Sequence, residues 1–78
     1  MEKKDPIQFA IEQAIAVLGD ARGGWKLELN RVSWNGRDAK YDLRTWDPEH
    51  QQMGKGITLT ADEAQKLREA LDAHFGSK

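Results

Sequence analysis

The sequence predicts an α+β fold in which an antiparallel sheet carries one C-terminal helix on one of its faces. Three observations support this. Residues 25–34 and 40–46 alternate between apolar and polar side chains, the period of a half-buried strand. Between them stands Asn35-Gly36, a strong signal for a two-residue hairpin turn. Residues 60–76 then read as a capped amphipathic helix.

Residues 6–18 fit two patterns. Ile7, Phe9, Ile11, Ile15 and Val17 alternate as in a strand, interrupted only at Gln13. Ile7, Ile11, Ala14, Ile15 and Leu18 also form a helical stripe, and Ala10, Ala14 and Ala16 favour helix. The pattern alone leaves both open. Gly19 to Gly24 reads as a loop by its glycines.

In the next run, Trp25, Leu27 and Leu29 point one way, and Lys26, Glu28 and Asn30 the other. The apolar phase then slips to Val32 and Trp34, which suggests a β-bulge. After the Asn-Gly turn, Tyr41, Leu43 and Thr45 share one face of a strand, while Lys40, Asp42, Arg44 and Trp46 share the other. Asp47-Pro48 opens a turn. The loop runs on to Gly54-Lys55-Gly56, and Ile57 and Leu59 mark a short last strand.

The helix is the clearest element. Thr60 and Glu63 form a capping box, Ala64, Leu67, Leu71 and Phe75 form the apolar stripe, and Gly76 supplies the stop. Leu27, Leu29, Tyr41, Leu43, Ile57 and Leu59 are therefore expected to pack under this helix. The opposite face carries Lys26, Lys40, Arg44 and Trp46, with Arg31, Trp34 and Lys55 nearby.

The 78 residues allow one domain, read as 6–76, with residues 1–5 as a solvated tail. A domain this small buries only about 60% of its unfolded surface and usually needs a staple. Cysteine is absent, and His50 and His74 lie apart from any ligand cluster, so no cofactor or metal is expected. Dimerisation is the staple that remains. The chain has no apolar run near the roughly 18 residues of a membrane span and no signal-peptide core, so a cytoplasmic location is expected.

Catalysis is not expected. His50 has no Ser or Cys partner at readable spacing, and Gly54-Lys55-Gly56 is too short for a phosphate loop. Asp62 and Glu63 are first-turn helix acids with a structural role. No small-molecule substrate is implied.

Single-stranded nucleic acid needs cations for its phosphates and flat side chains on which bases stack. Arg44 and Trp46 supply both, two strand steps or about 6.6 Å apart. The plainer readings weigh against this. A Trp in a small domain is usually core, and alternating charges usually make a solvated face. Twelve Lys+Arg against thirteen Asp+Glu give a net charge of −1, where nucleic-acid binders are usually basic.

The run from Trp25 to Asn35, then Lys40 to Trp46, Asp47 to His50, and Met53 to Leu59 before a capped helix resembles the bacterial YdbC-like branch of the transcriptional coactivator family named positive cofactor four. The resemblance spans about residues 7–75. Its most specific pieces are Asp42-Leu43-Arg44 followed by an aromatic residue and Gly54-Lys55-Gly56-Ile57-Thr58-Leu59.

The resemblance implies a four-stranded curved antiparallel sheet followed by one C-terminal helix, with residues 6–18 as the first strand. It implies a homodimer whose helices pair, with Leu67, Leu71 and Phe75 at the interface, and sequence-nonspecific binding of single-stranded DNA in transcription or DNA maintenance, hence a nucleoid association. Carried over by position, Arg44, Trp46 and Lys55 match DNA-contacting sites; Lys26, Arg31, Trp34 and Lys40 lie where the family places further contacts. If about four phosphates are neutralised, log affinity should fall with log salt at a slope near −3, at about −0.7 per contact. The competing readings are a dimeric protein-interaction module, for which Trp and Arg are common hot-spot residues, and an RNA-binding protein.

Overall fold

A computed structural model describes residues 8–76. Ile7 and the 1–5 tail lie outside the described residues. The elements are β1 (Phe9–Asp20), a 3-10 turn (Arg22–Gly24), β2 (Lys26–Trp34), β3 (Lys40–Trp46), β4 (Met53–Leu59) and α1 (Ala61–Phe75). The four strands form one antiparallel sheet in the order β1-β2-β3-β4. No helix among the described residues is long and apolar enough to cross a membrane.

The double pattern of residues 6–18 has a structural cause. Against β2, the register of β1 shifts between Ile11 and Gln13, between Ala14 and Ala16, and between Val17 and Gly19. Each shift leaves one extra residue in β1: Glu12, Ile15 and Leu18. Directly opposed residues share a face, so Ile11, Ala14, Val17 and Asp20 reach the same face at every third position. A strand bulged at this interval mimics the three-to-four spacing of a helix. Bulges also increase twist, and this sheet edge is coiled rather than flat.

The bulge expected in β2 is absent from its pairing with β3, which runs unbroken from Lys26↔Trp46 to Val32↔Lys40. Val32 simply joins the face of Glu28 and Asn30. Its side chain is apolar there because Ile11 and Lys40 flank it and it is fully buried.

The β2–β3 turn is built as its sequence requires. Asn35 (φ 53°) and Gly36 (φ 77°) both take left-handed backbone, and the Arg37 N–H donates to the Trp34 carbonyl at 3.0 Å. Two left-handed central residues match the twist of a hairpin. Asn35 also accepts from the Gln8 N–H through Oδ1 (3.1 Å) and donates its own N–H to the Gln8 carbonyl (2.7 Å), tying the tip to the start of β1.

β4 is longer than its apolar residues suggest and takes in Gly54, Lys55 and Gly56. Gly56 faces Arg44 so closely that an added Cβ would overlap the Arg44 side chain and the Leu43 carbonyl. Gly56→Ala is expected to cost about 1–3 kcal/mol, the usual range for overpacking. A lower urea midpoint at unchanged m-value would register it.

α1 follows its signals closely. Thr60 Oγ1 accepts from the Glu63 N–H (3.1 Å), Glu63 Oε1 accepts from the Thr60 N–H (2.9 Å), and Gly76 closes the helix in left-handed backbone. Its packing departs from expectation. No helix residue is buried; Leu67 is 40%, Leu71 46% and Phe75 78% exposed. On the sheet face beneath, Ile57 and Leu27 are also open. A cleft of ≈ 420 Å³ separates the two, lined by Leu29, Tyr41, Leu59, Leu67 and Leu71 among others.

The buried residues lie mainly on the other face. Val32, Trp46, Asn30, Asp42 and Glu28 are all below one-tenth exposed, and by pairing they stand opposite the helix side. The core expected under the helix is therefore a half-open groove, and the face expected to be solvated is the better enclosed one. The coiled β1 edge and the 47–52 loop cause this, because they bring Phe9 and His50 against Trp46.

Candidate nucleic-acid interface

The helix-free face is organised around Trp46. β3 places it opposite Lys26 on one side and Met53 on the other. Phe9 from β1 packs on its ring at 5.1 Å between centroids, and His50 lies at 5.7 Å. Phe9 also meets Trp34 at 6.0 Å. Trp46 is 0% exposed, which corrects the expectation of an open ring on which bases stack. Trp34 and Phe9 are half-buried and form the accessible part of the cluster. Phe9 escaped the sequence reading because its partners come from β1 pairing, which the bulged pattern obscured.

The indole N–H groups of Trp34 and Trp46 are enclosed and have no hydrogen-bond partner among the described residues. A buried donor left unpaired costs about 1–3 kcal/mol.

Arg44 is not a free phosphate ligand. Its Nε and Nη2 donate to the two carboxylate oxygens of Asp42 at 2.6 and 2.9 Å, a bidentate fork, and its guanidinium lies 4.8 Å over the Trp34 ring. Thr58 Oγ1 donates to the same carboxylate at 3.0 Å. Arg44 has 14% side-chain exposure and Asp42 0%, so this is an enclosed pair whose charges largely cancel. Alternation along β3 put both residues on one face; it did not show that they bond each other.

A second carboxylate lies one strand away. Glu28 opposes Arg44 on β2. Its carboxylate accepts from Asn30 Nδ2 at 3.0 Å and from His50 Nε2, 2.9–3.0 Å from both oxygens. The 47–52 loop holds His50 in place. Asp47 accepts from the N–H groups of Gln52 and Gln51, each at 2.7 Å, and the His50 N–H donates to the Asp47 carbonyl. These amides, Gln52 foremost, hold the Asp47 carboxyl below its ordinary value of 3.8. That contribution is present at neutral pH and is lost as pH falls below 3.8.

The remaining candidates divide. Lys40 is exposed at the end of β3 on the Trp46 face. Lys26 shares that face, and its ammonium donates to Asp20 at 2.7 Å, an open surface pair. The bond with Asp20 raises the Lys26 value and lowers that of Asp20. Lys55 is exposed in a β4 bulge, where the register jumps from Arg44↔Gly56 to Trp46↔Met53. Arg31 stands apart: it opposes Tyr41 on the helix side, with its guanidinium 5.9 Å from that ring. The face thus brings together Lys26, Trp34, Lys40, Arg44 and Trp46, and does not include Arg31.

The sequence model of the family described as Transcriptional Coactivator p15 (PC4) matches residues 22–70, more than half of the chain. A protein of Treponema pallidum (strain Nichols), itself described as uncharacterized, is 42% identical over 69 residues, covering 88% of this chain and 81% of its own length.

Proposed function

The chain belongs to the family of the transcriptional coactivator p15 (PC4), and from that premise we propose that it binds single-stranded DNA on the helix-free face of its sheet, as a homodimer. The observation that carries this reading is the juxtaposition on one face of a partly open Phe9–Trp34 pair with Lys40 and Lys26. Aromatic rings accept unstacked bases at about 1–3 kcal/mol each with little sequence preference. Trp46 and the Arg44–Asp42 pair act beneath them, fixing the ring positions rather than touching the strand. The role is one of binding, in transcription or DNA maintenance, with a nucleoid association following from it.

Because Arg44 is neutralised, the expected salt dependence is shallower than the sequence implied. Lys40 and Lys55, which make no ion pair among the described residues, give a slope of about −1.4 per protomer at about −0.7 per contact; Lys26 is held by Asp20. Titration with a 20-nucleotide oligothymidine at several salt concentrations, beside the matching duplex and an oligouridine, tests this. Tight single-strand binding with that slope and much weaker duplex binding supports the reading. Salt-insensitive binding, or a duplex bound equally well, contradicts it.

The homodimer is supported by shape. The radius of gyration is 14.6 Å, against about 11.5 Å expected of a compact chain of this length. The helix stripe and the groove beside it also remain open, as described above. In this reading a second copy covers Leu67, Leu71 and Phe75. Leu71→Asp is then expected to give monomer or unfolded chain in sedimentation. A folded, dimeric variant would place the interface elsewhere.

A further inference from the structure

The helix-free face holds a second cleft, of ≈ 390 Å³, between the coiled middle of β1 and β2. Ala14 to Val17 form its apolar walls; Glu28, Asn30 and His50 form its polar end. This volume lies within the roughly 300–1,000 Å³ of small-molecule sites, which pair apolar walls with a few convergent polar groups. Glu28 is 7% and Asn30 1% exposed, so these are built-in groups rather than surface chains.

A buried carboxylate is an odd component of a surface for a polyanion. It repels phosphate, and it can attract only hydrogen-bond donors. An ionised carboxylate offers about four lone-pair sites. Asn30 Nδ2 and His50 Nε2 fill two, since the single Nε2 proton can serve only one of its two close oxygens at a time. About two acceptor sites remain. Among the bases, guanine presents two adjacent donors on one edge, its ring N1–H and its exocyclic amine. Thymine presents one donor flanked by two carbonyls, which a carboxylate repels.

We infer that this cleft receives one unstacked base of the bound strand and selects guanine over thymine through the Glu28 carboxylate, with Asn30 and His50 fixing that carboxylate in place. The inference rests on the single-strand reading above and adds a base preference to it.

The test compares three 20-mers by competition anisotropy: oligothymidine, the same strand with guanosine at every fourth position, and the same strand with inosine there. The guanosine strand is expected to bind at least about five-fold tighter than oligothymidine, the lower end of what a bidentate base contact supplies. Inosine lacks the exocyclic amine and should lose most of that gain. Glu28→Gln should abolish the gain, read within the variant as the ratio of guanosine-strand to oligothymidine affinity falling to about one. The inosine arm uses the unaltered protein, so the test stands even if the variant folds poorly. Equal binding of the guanosine and thymidine strands would overturn the inference and leave the single-strand reading intact. So would a gain that survives both inosine and Glu28→Gln. Binding of none of the three would remove both.

Discussion

Asp42→Ala is expected to lower the free energy of unfolding by about 3–5 kcal/mol, the range for removing one partner of an enclosed ion pair. Asp42 has no exposed surface and accepts two bonds from Arg44 and one from Thr58. Its loss leaves a guanidinium at 14% exposure without a counter-charge. Domains ordinarily hold only about 5–15 kcal/mol in total, so this one change removes a large share. Replacing both partners, as Asp42→Leu with Arg44→Met, should recover much of the loss, because the cost lies in the orphaned charge rather than in the missing bond. Urea unfolding followed by circular dichroism measures both. A loss under about 1 kcal/mol would mean that the pair behaves as an exposed one.

Trp46→Ala is the second large effect, at about 3–5 kcal/mol for a fully buried aromatic ring. Removing the ring also takes away the support for Phe9 and His50. Single-strand affinity is therefore expected to fall as well, although Trp46 itself is out of a base's reach. Trp46→Phe separates the two roles. It keeps a ring under Phe9 and should hold oligothymidine affinity within a few-fold while still costing stability. A large affinity loss in Trp46→Phe at near-normal stability would instead mean that the indole contacts the strand directly.

Much of this fold was legible because local signals agreed with tertiary structure. Asn35-Gly36 supplied the backbone that a hairpin needs, and the strand from Lys40 to Trp46 begins and ends where its alternation does. The Thr60–Glu63 capping box and Gly76 bracket the helix as read. The sites that escaped depend on two strands at once. Three bulges in β1 are a property of its register with β2, so neither period was correct for residues 9–20. The sense of the two faces escaped for a similar reason. Alternation sorts residues into sides, but it does not say which side the coiled edge and the 47–52 loop will enclose. The mixed signs along Lys26-Glu28-Asn30 and Asp42-Arg44 were the available clue. Opposite charges two positions apart on one strand share its face, and here Asp42 withdrew Arg44 from the surface.

The central claim is that single-stranded DNA lies on the Phe9–Trp34 side of the sheet, and indole resonances report on it most directly. The chain has three tryptophans, so a nitrogen-15 correlation spectrum carries three indole N–H signals. On addition of oligothymidine, the signals of Trp34 and Trp46 should shift together in a saturable, salt-sensitive manner. The backbone amide of Lys40 should follow, while the side-chain methyl signals of Leu43 and Leu71 on the helix side should stay in place. Shifts concentrated on the helix-side groove, with the Trp34 signal unmoved, would contradict the account.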